Sequence, residues 1–209
     1  MIIAIDGPAA AGKGTLARRL ASRFGLDYLD TGKLYRAAGV ALAHFGGDPT
    51  SEKDLLQAAS LIDFSRLGDP ALRTEEAGRL ASKVATAPAL RKALLTMQQD
   101  FAHRAGGAVL DGRDIGTVLC PDADLKLFVT ASAAQRALRR FKELLDKGDS
   151  AIWERVLEDL RQRDAQDSAR AVAPLVAAKD AVLLDTTDLD ADQAFHRACA
   201  IVDERGLAP

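Results

Sequence analysis

Ile2-Ile3-Ala4-Ile5-Asp6-Gly7-Pro8-Ala9-Ala10-Ala11-Gly12-Lys13-Gly14-Thr15 is the stretch that decides the fold of this 209-residue chain. The apolar run Ile2 to Ile5, ending in Asp6-Gly7-Pro8, reads as a buried strand entering a turn. Beyond the turn Leu16, Leu20 and Phe24 recur every four residues, with Ala17 and Ala21 beside them and Gly25 as a stop, so a helix follows. The residues between strand and helix match G-x-x-x-x-G-K. Glycines there let backbone N–H groups converge on an anion, the helix N-terminus adds about half a positive charge, and the lysine reaches the outer phosphates. Gly7, Pro8, Ala9, Ala10, Ala11, Gly12, Lys13, Gly14 and Thr15 are therefore the candidate phosphate cradle. Gly14 stands where Ser or Thr usually meets Mg²⁺. Direct hydroxyl ligation at that position is impossible, and any Mg²⁺ is held by Thr15, by water or by the phosphates themselves, with the metal ligands left open.

Working outward, a brief strand is expected at Tyr28-Leu29. Thr31 then caps a helix that carries Leu34, Ala38, Ala41, Leu42 and Phe45 on one face, and Gly46-Gly47-Asp48-Pro49 breaks it. From Thr50 to Ala105 the pattern is helical, with Leu90, Leu94 and Phe101 at core-like spacing and an interruption from Asp63 to Pro70. Strand signals return at Ala108 to Leu110, Leu125 to Val129 and Ala181 to Leu184. Strands separated by helices imply a parallel sheet, so the class is α/β with helices on both faces.

Composition narrows the function. Apolar residues make up 48% and charged residues 28%, which excludes disordered and fibrous classes. The net charge of −2 argues against a nucleic-acid backbone as partner, since that needs a basic excess. Two cysteines, Cys120 and Cys199, and three scattered histidines, His44, His103 and His196, build neither a disulfide framework nor a zinc site. No secretion signal and no membrane-length apolar run is present, so a soluble, cytoplasmic setting without membrane contact is expected.

Three further constellations carry charge toward a ligand. Asp30-Thr31-Gly32-Lys33-Leu34-Tyr35-Arg36 places Thr31 and Arg36 where both face a ligand lying over a helix N-terminus. Leu110-Asp111-Gly112-Arg113-Asp114-Ile115-Gly116 leaves a strand at its carboxyl end, where open α/β sheets put their ligands. Arg163, Asp167 and Arg170 fall at i, i+4 and i+7, so one helix face presents two guanidinium groups around a carboxylate. Arg136, Arg139 and Arg140 also share a face, which reads as a solvated, salt-bridged surface. Asn-Lys-x-Asp, the guanine signal of a switch GTPase, does not occur.

Together these segments resemble the bacterial cytidylate kinases, P-loop kinases of nucleoside monophosphates. The family's Ile-Asp-Gly-Pro, its G-K-G-T loop, its Asp-[Ser/Thr]-Gly-x-x-Tyr-Arg, its Asp-Gly-Arg-Asp-[Ile/Met]-Gly-Thr and its Arg-Ala-x-Ala-Pro-Leu occur here in the same order, the last at Arg170 to Leu175. The resemblance implies a single P-loop kinase domain with a five-stranded parallel sheet. It also implies an inserted monophosphate lobe at about residues 46–90, shorter than in the family's longer members, and a helical lid at about 140–170. Thr31, Ser82, Arg91 and Asp114 match positions at the cytosine, with Tyr35 in the same substrate set. Arg36, Arg113 and Arg170 match positions at the acceptor phosphate, and Arg163 and Asp167 positions at the ribose. Lys13, Arg113, Arg163 and Arg170 are the cations expected to act in catalysis. ATP with Mg²⁺ as donor, CMP or dCMP as acceptor, and a monomeric state follow from the same resemblance. Another small P-loop kinase, acting on adenylate, deoxynucleosides or shikimate, is the rival enzyme, and a non-catalytic ATP-binding regulatory module the rival from another class.

Overall fold

The computed structural model describes residues 1–207. Strand β1 (Ile2–Asp6) pairs in parallel with β3 (Ala108–Gly112) on one side and with β4 (Leu125–Thr130) on the other. β5 (Val182–Asp185) pairs in parallel with β4, and β2 (Asp27–Asp30) borders β3, so the sheet order is β2-β3-β1-β4-β5. A central strand covered on both faces has no position facing water. Ile3, Ala4 and Ile5 are accordingly fully buried, which is why this segment reads as an apolar run instead of an alternation.

The chain falls into two compact units, one made of Met1–Leu29 with the chain from Ala102 onward, the other of Asp30–Phe101. In the first, helix α1 (Lys13–Phe24) contributes Leu16 and Leu20, and helix α8 (Ala191–Glu204) contributes Ala198, Ile201 and Val202, to a core shared with Ile3, Ile5, Val109 and Leu127. Burying each Leu or Ile contributes about 1.5–3 kcal/mol relative to exposure. A second cluster joins helix α6 (Ala133–Asp146) to helix α7 (Trp153–Ser168) through Ala137, Leu144, Val156 and Leu160, and it includes Ala9 of the glycine-rich loop. Phe141 and Trp153 meet edge to face with centroids 6.4 Å apart.

The second unit is helical. α2 (Thr31–His44), α3 (Glu52–Ser60), α4 (Glu75–Val84) and most of α5 (Pro88–Ala102) are joined through 3₁₀ turns at Phe64–Arg66 and Pro70–Arg73. α2 and α4 approach closely at Gly39, where a Cβ would lie 2.9 Å from the Leu80 backbone carbon. Ser51 and Thr74 cap α3 and α4 by accepting from the amides of Asp54 and Ala77, as their sequence positions just before a helix suggest.

The expected strands are present, the first four one or two residues longer and the last shifted by one to Val182–Asp185, and Leu90, Leu94 and Phe101 are buried. Three local expectations are corrected. The residue capping α2 is Asp30; Thr31 is already in the first turn and buried, because β2 runs directly into the helix. Arg170 does not share the helical face of Arg163 and Asp167, since α7 ends at Ser168 and Arg170 lies just past it. Arg140 pairs with Glu143 on its own helix as a salt-bridged face would, but Arg136 and Arg139 are not a solvated surface. Arg136 is buried, and Arg136 and Arg139 bond main-chain carbonyls of neighbouring segments. Among the described residues no helix is long and apolar enough to cross a membrane.

Gly7, at the exit of β1, has φ +145° and lies so close to β4 that a Cβ would sit 1.9 Å from the Val129 carbonyl oxygen. Gly7→Ala is therefore expected to lower stability by at least about 2 kcal/mol, read as a reduced melting temperature without nucleotide.

Candidate functional site

The site begins where β1 and β3 end. Asp6 stands opposite Gly112 in the ladder, so the loop after β1 and the segment after β3 leave the sheet side by side at its carboxyl edge. The Asp6 carboxylate joins them, accepting from the amides of Ile115 and Gly116 at 2.8 Å each. Those amides open a π-helical turn, Ile115–Leu119, with Asp114 at its start. Burial pushes the Asp6 carboxyl up to about 6, against the lowering effect of the two amides.

Residues 7–15 form the loop, and α1 begins at Lys13 with Gly12 as its cap. Lys13 is buried, and its Nζ donates to the Pro8 carbonyl at 2.7 Å, folding the side chain back over the loop. Burial, then the nearby charge of Arg113, lowers its pKa from 10.5 to about 7. Beside Gly14 a Cβ would lie 3.4 Å from the Tyr28 hydroxyl and 3.8 Å from Asp111 Oδ2. Tyr28 donates to Asp111 Oδ1 at 2.8 Å, while Thr15 is exposed and its hydroxyl accepts from Arg18 at 3.4 Å. A buried carboxylate and a hydroxyl thus flank the glycine that lacks one.

Arg113, immediately after β3, extends Nε to Asp167 Oδ2 at 2.7 Å, and Arg170 donates to the other oxygen of the same carboxylate. Asp167 is almost fully buried. Burial alone would push its carboxyl up, but the charges of Arg113 and Arg170 prevail and hold it below the ordinary carboxylate value. Arg163, one turn earlier on α7, acts electrostatically on both Asp167 and Lys13. The fold therefore gathers Arg113, Arg163 and Arg170 around one carboxylate, with Lys13 within electrostatic reach of Arg113 and Arg163. Such a cluster can hold anions, and it contains no histidine or thiol to act as base or nucleophile.

The Asp30–Phe101 unit arranges its own candidates. Arg91 on α5 lies over the Tyr35 ring, 5.7 Å from its centroid, and donates to the Ala85 carbonyl at 3.3 Å. Arg36 on α2 donates to the carbonyls of Leu72 and Thr74 at 3.0 and 2.9 Å. Thr31 lies at the start of α2, one turn before Tyr35, and Ser82 on α4 is half-buried.

Asp6, Asp111 and Arg136 were not singled out by the motifs, although they too build the site. For Asp6 and Asp111 the signal was available, since a carboxylate ending an otherwise apolar buried strand requires a partner. For Arg136 no local signal existed, because Asp164 and Ala9, the partners that tie it to the site, are 28 and 127 residues away. Among the described residues no group of three or more His, Cys, Asp or Glu could cage a metal ion by itself.

A family model described as cytidylate kinase matches residues 3–204. A cytidylate kinase of Paramagnetospirillum magneticum is 58% identical over 98% of both chains. One from Xanthobacter autotrophicus is also 58% identical over 98% of both. Among solved structures, an uncharacterized protein from Eubacterium ventriosum superimposes with a TM-score of 0.57 at 12% identity, over 97% of this chain and 98% of its own, a likeness of fold. With the loop, the Asp-Gly-Arg-Asp turn and the arginine cluster all in place, the chain belongs to the cytidylate kinase family.

Proposed function

We propose that the chain transfers the γ-phosphoryl group of ATP to CMP or dCMP, forming CDP or dCDP and ADP. The observation that carries this reading is the convergence of Arg113, Arg163 and Arg170 on the buried Asp167 carboxylate, with Lys13 of the glycine-rich loop within electrostatic reach of Arg113 and Arg163. The acceptor is itself a phosphate oxygen. Its second pKa is about 6, so it is largely ionised at neutral pH and needs no general base. What the chemistry requires is cancellation of repulsion between two anions, alignment, and exclusion of water.

Lys13 and the amides of residues 7–15 take the donor's β- and γ-phosphates, as a glycine-rich loop at a helix start does. Arg113 and Arg170 take the acceptor phosphate, their planes already set by Asp167. Arg163 and Asp167 take the ribose by the family match. By the family match, Arg36 serves the acceptor phosphate, and Thr31, Tyr35, Ser82, Arg91 and Asp114 serve the base. Asp111, whose Oδ2 lies beside the Gly14 position, and Thr15, the next residue in the chain, are the protein groups that would hold Mg²⁺. That ion, when bound, would neutralise phosphate charge, and so few protein oxygens suit a metal that keeps waters and phosphates as its other ligands.

Release of ADP in a coupled assay should depend on CMP or dCMP and proceed much more slowly with UMP or AMP. Equal rates with AMP would overturn the cytosine assignment. Lys13→Ala and Arg113→Ala should each lower kcat/KM by well over tenfold, since a smaller loss is only about 1.4 kcal/mol of transition-state stabilisation.

Nucleotide binding should also take up protons. Lys13, held at about 7, is mostly neutral at about pH 8, and phosphates arriving beside it favour its charged form. Calorimetric titration with ADP near pH 8 should thus show uptake approaching one proton, read from the dependence of enthalpy on buffer ionisation. The uptake should shrink below about pH 6.5 and vanish in Lys13→Met.

A further inference from the structure

Two arginines of α6 brace the glycine-rich loop from outside. Arg136 Nη1 donates to the Ala9 carbonyl at 3.1 Å and to Asp164 Oδ1 at 3.0 Å, while its Nη2 meets Asp164 Oδ2 at 2.6 Å and its Nε the Ala131 carbonyl at 2.9 Å. One turn on, Arg139 Nη1 donates to Thr186 Oγ1 at 3.0 Å. The Thr186 hydroxyl in turn directs its hydrogen toward the carbonyls of Thr130 at 3.0 Å and Ala11 at 3.3 Å. Alternate loop carbonyls, Ala9 and Ala11, are thus held from the α6 side.

A trans peptide is planar, and its C=O and N–H point in opposite directions. No cis peptide occurs among the described residues. Fixing the Ala9 and Ala11 carbonyls therefore aims the Ala10 and Gly12 amides the other way. Ala10 needs the brace, because its φ is +59°, a left-handed conformation that a non-glycine residue holds only when its surroundings impose it.

We infer that Arg136 and the Arg139–Thr186 pair are positioning residues that preset the Ala10 and Gly12 amides of the loop for the donor's phosphates. Arg136 is set as a brace and not as a phosphate ligand, since Asp164 and two carbonyls take up four of its five N–H groups. The inference rests on the proposed donor site. It is judged separately from the reaction, because ADP binding needs no acceptor.

The test is calorimetric titration of the whole chain with Mg-ADP and, separately, with CMP. Thr186→Val keeps the side chain's shape and removes the hydroxyl; Arg136→Ala removes the other brace. Each should raise the Kd for ADP about tenfold, the scale of a lost hydrogen bond to or from a charged group, while the Kd for CMP stays within about twofold. Asp164→Asn, which leaves the Arg136–Ala9 bond, should change ADP affinity by less than about threefold. Folded variants whose ADP affinity matches the unaltered chain, or which lose ADP and CMP affinity in equal proportion, overturn the inference. Thr186→Val carries the test if Arg136→Ala does not fold. An unaltered chain that binds ADP but forms no CDP would overturn the proposed reaction and leave this inference standing.

Discussion

Like charges repel, and this protein collects them. Arg113, Arg163 and Arg170 converge on the buried Asp167 carboxylate, which makes the arrangement tolerable, and Lys13 lies within electrostatic reach of Arg113 and Arg163. The carboxylate accepts from Arg113 on one oxygen and Arg170 on the other, holding two long, rotamer-rich side chains in set planes. A buried pair of this kind adds little net stability, because desolvation offsets most of the attraction, whereas removing one partner costs about 3–5 kcal/mol. Its value lies in geometry. Guanidinium groups already oriented lose less freedom when an anion binds.

The same logic applies at the end of β1. Asp6 is a carboxylate in a place that disfavours charge, as its raised pKa records. Two amide donors from Ile115 and Gly116 compensate part of that penalty and tie the turn bearing Arg113 and Asp114 to the strand that launches the loop. Outside the loop, Arg136 and Arg139 repeat the device with the polarity reversed, cations holding carbonyls. Donor-side and cluster residues are thus set by buried polar contacts on a rigid sheet edge, a more accurate support than a free loop.

Arginine suits this work better than lysine. A planar fork can satisfy several acceptors at once, as Arg136 does with Ala9, Ala131 and Asp164. The single lysine of the loop is a point charge on a flexible stem, folded back to Pro8 and able to turn toward a newly arrived phosphate. The preference of 19 Arg to 9 Lys in the chain, uninformative as a composition, gains meaning at these positions.

The strand–loop–helix unit and the α/β class were legible in the residues themselves, whereas the grouping of Arg113 with Asp167 and Arg170 came only from the family resemblance. Local rules govern the first two: apolar runs for buried strands, and glycine and lysine spacing for an anion cradle. The cap of α2 at Asp30 and the end of α7 before Arg170 were misplaced by one residue or a few, because competing hydrogen bonds decide where a helix starts and stops. What the amino-acid order alone could not tell was the fate of Arg136 and Arg139. An arginine on a polar helix face looks the same whether it meets water or a carbonyl 127 residues away. Only the folded sheet, by bringing β1, β3, β4 and α6 to one edge, chose between those partners, since burial and long-range hydrogen bonding are properties of the packed chain.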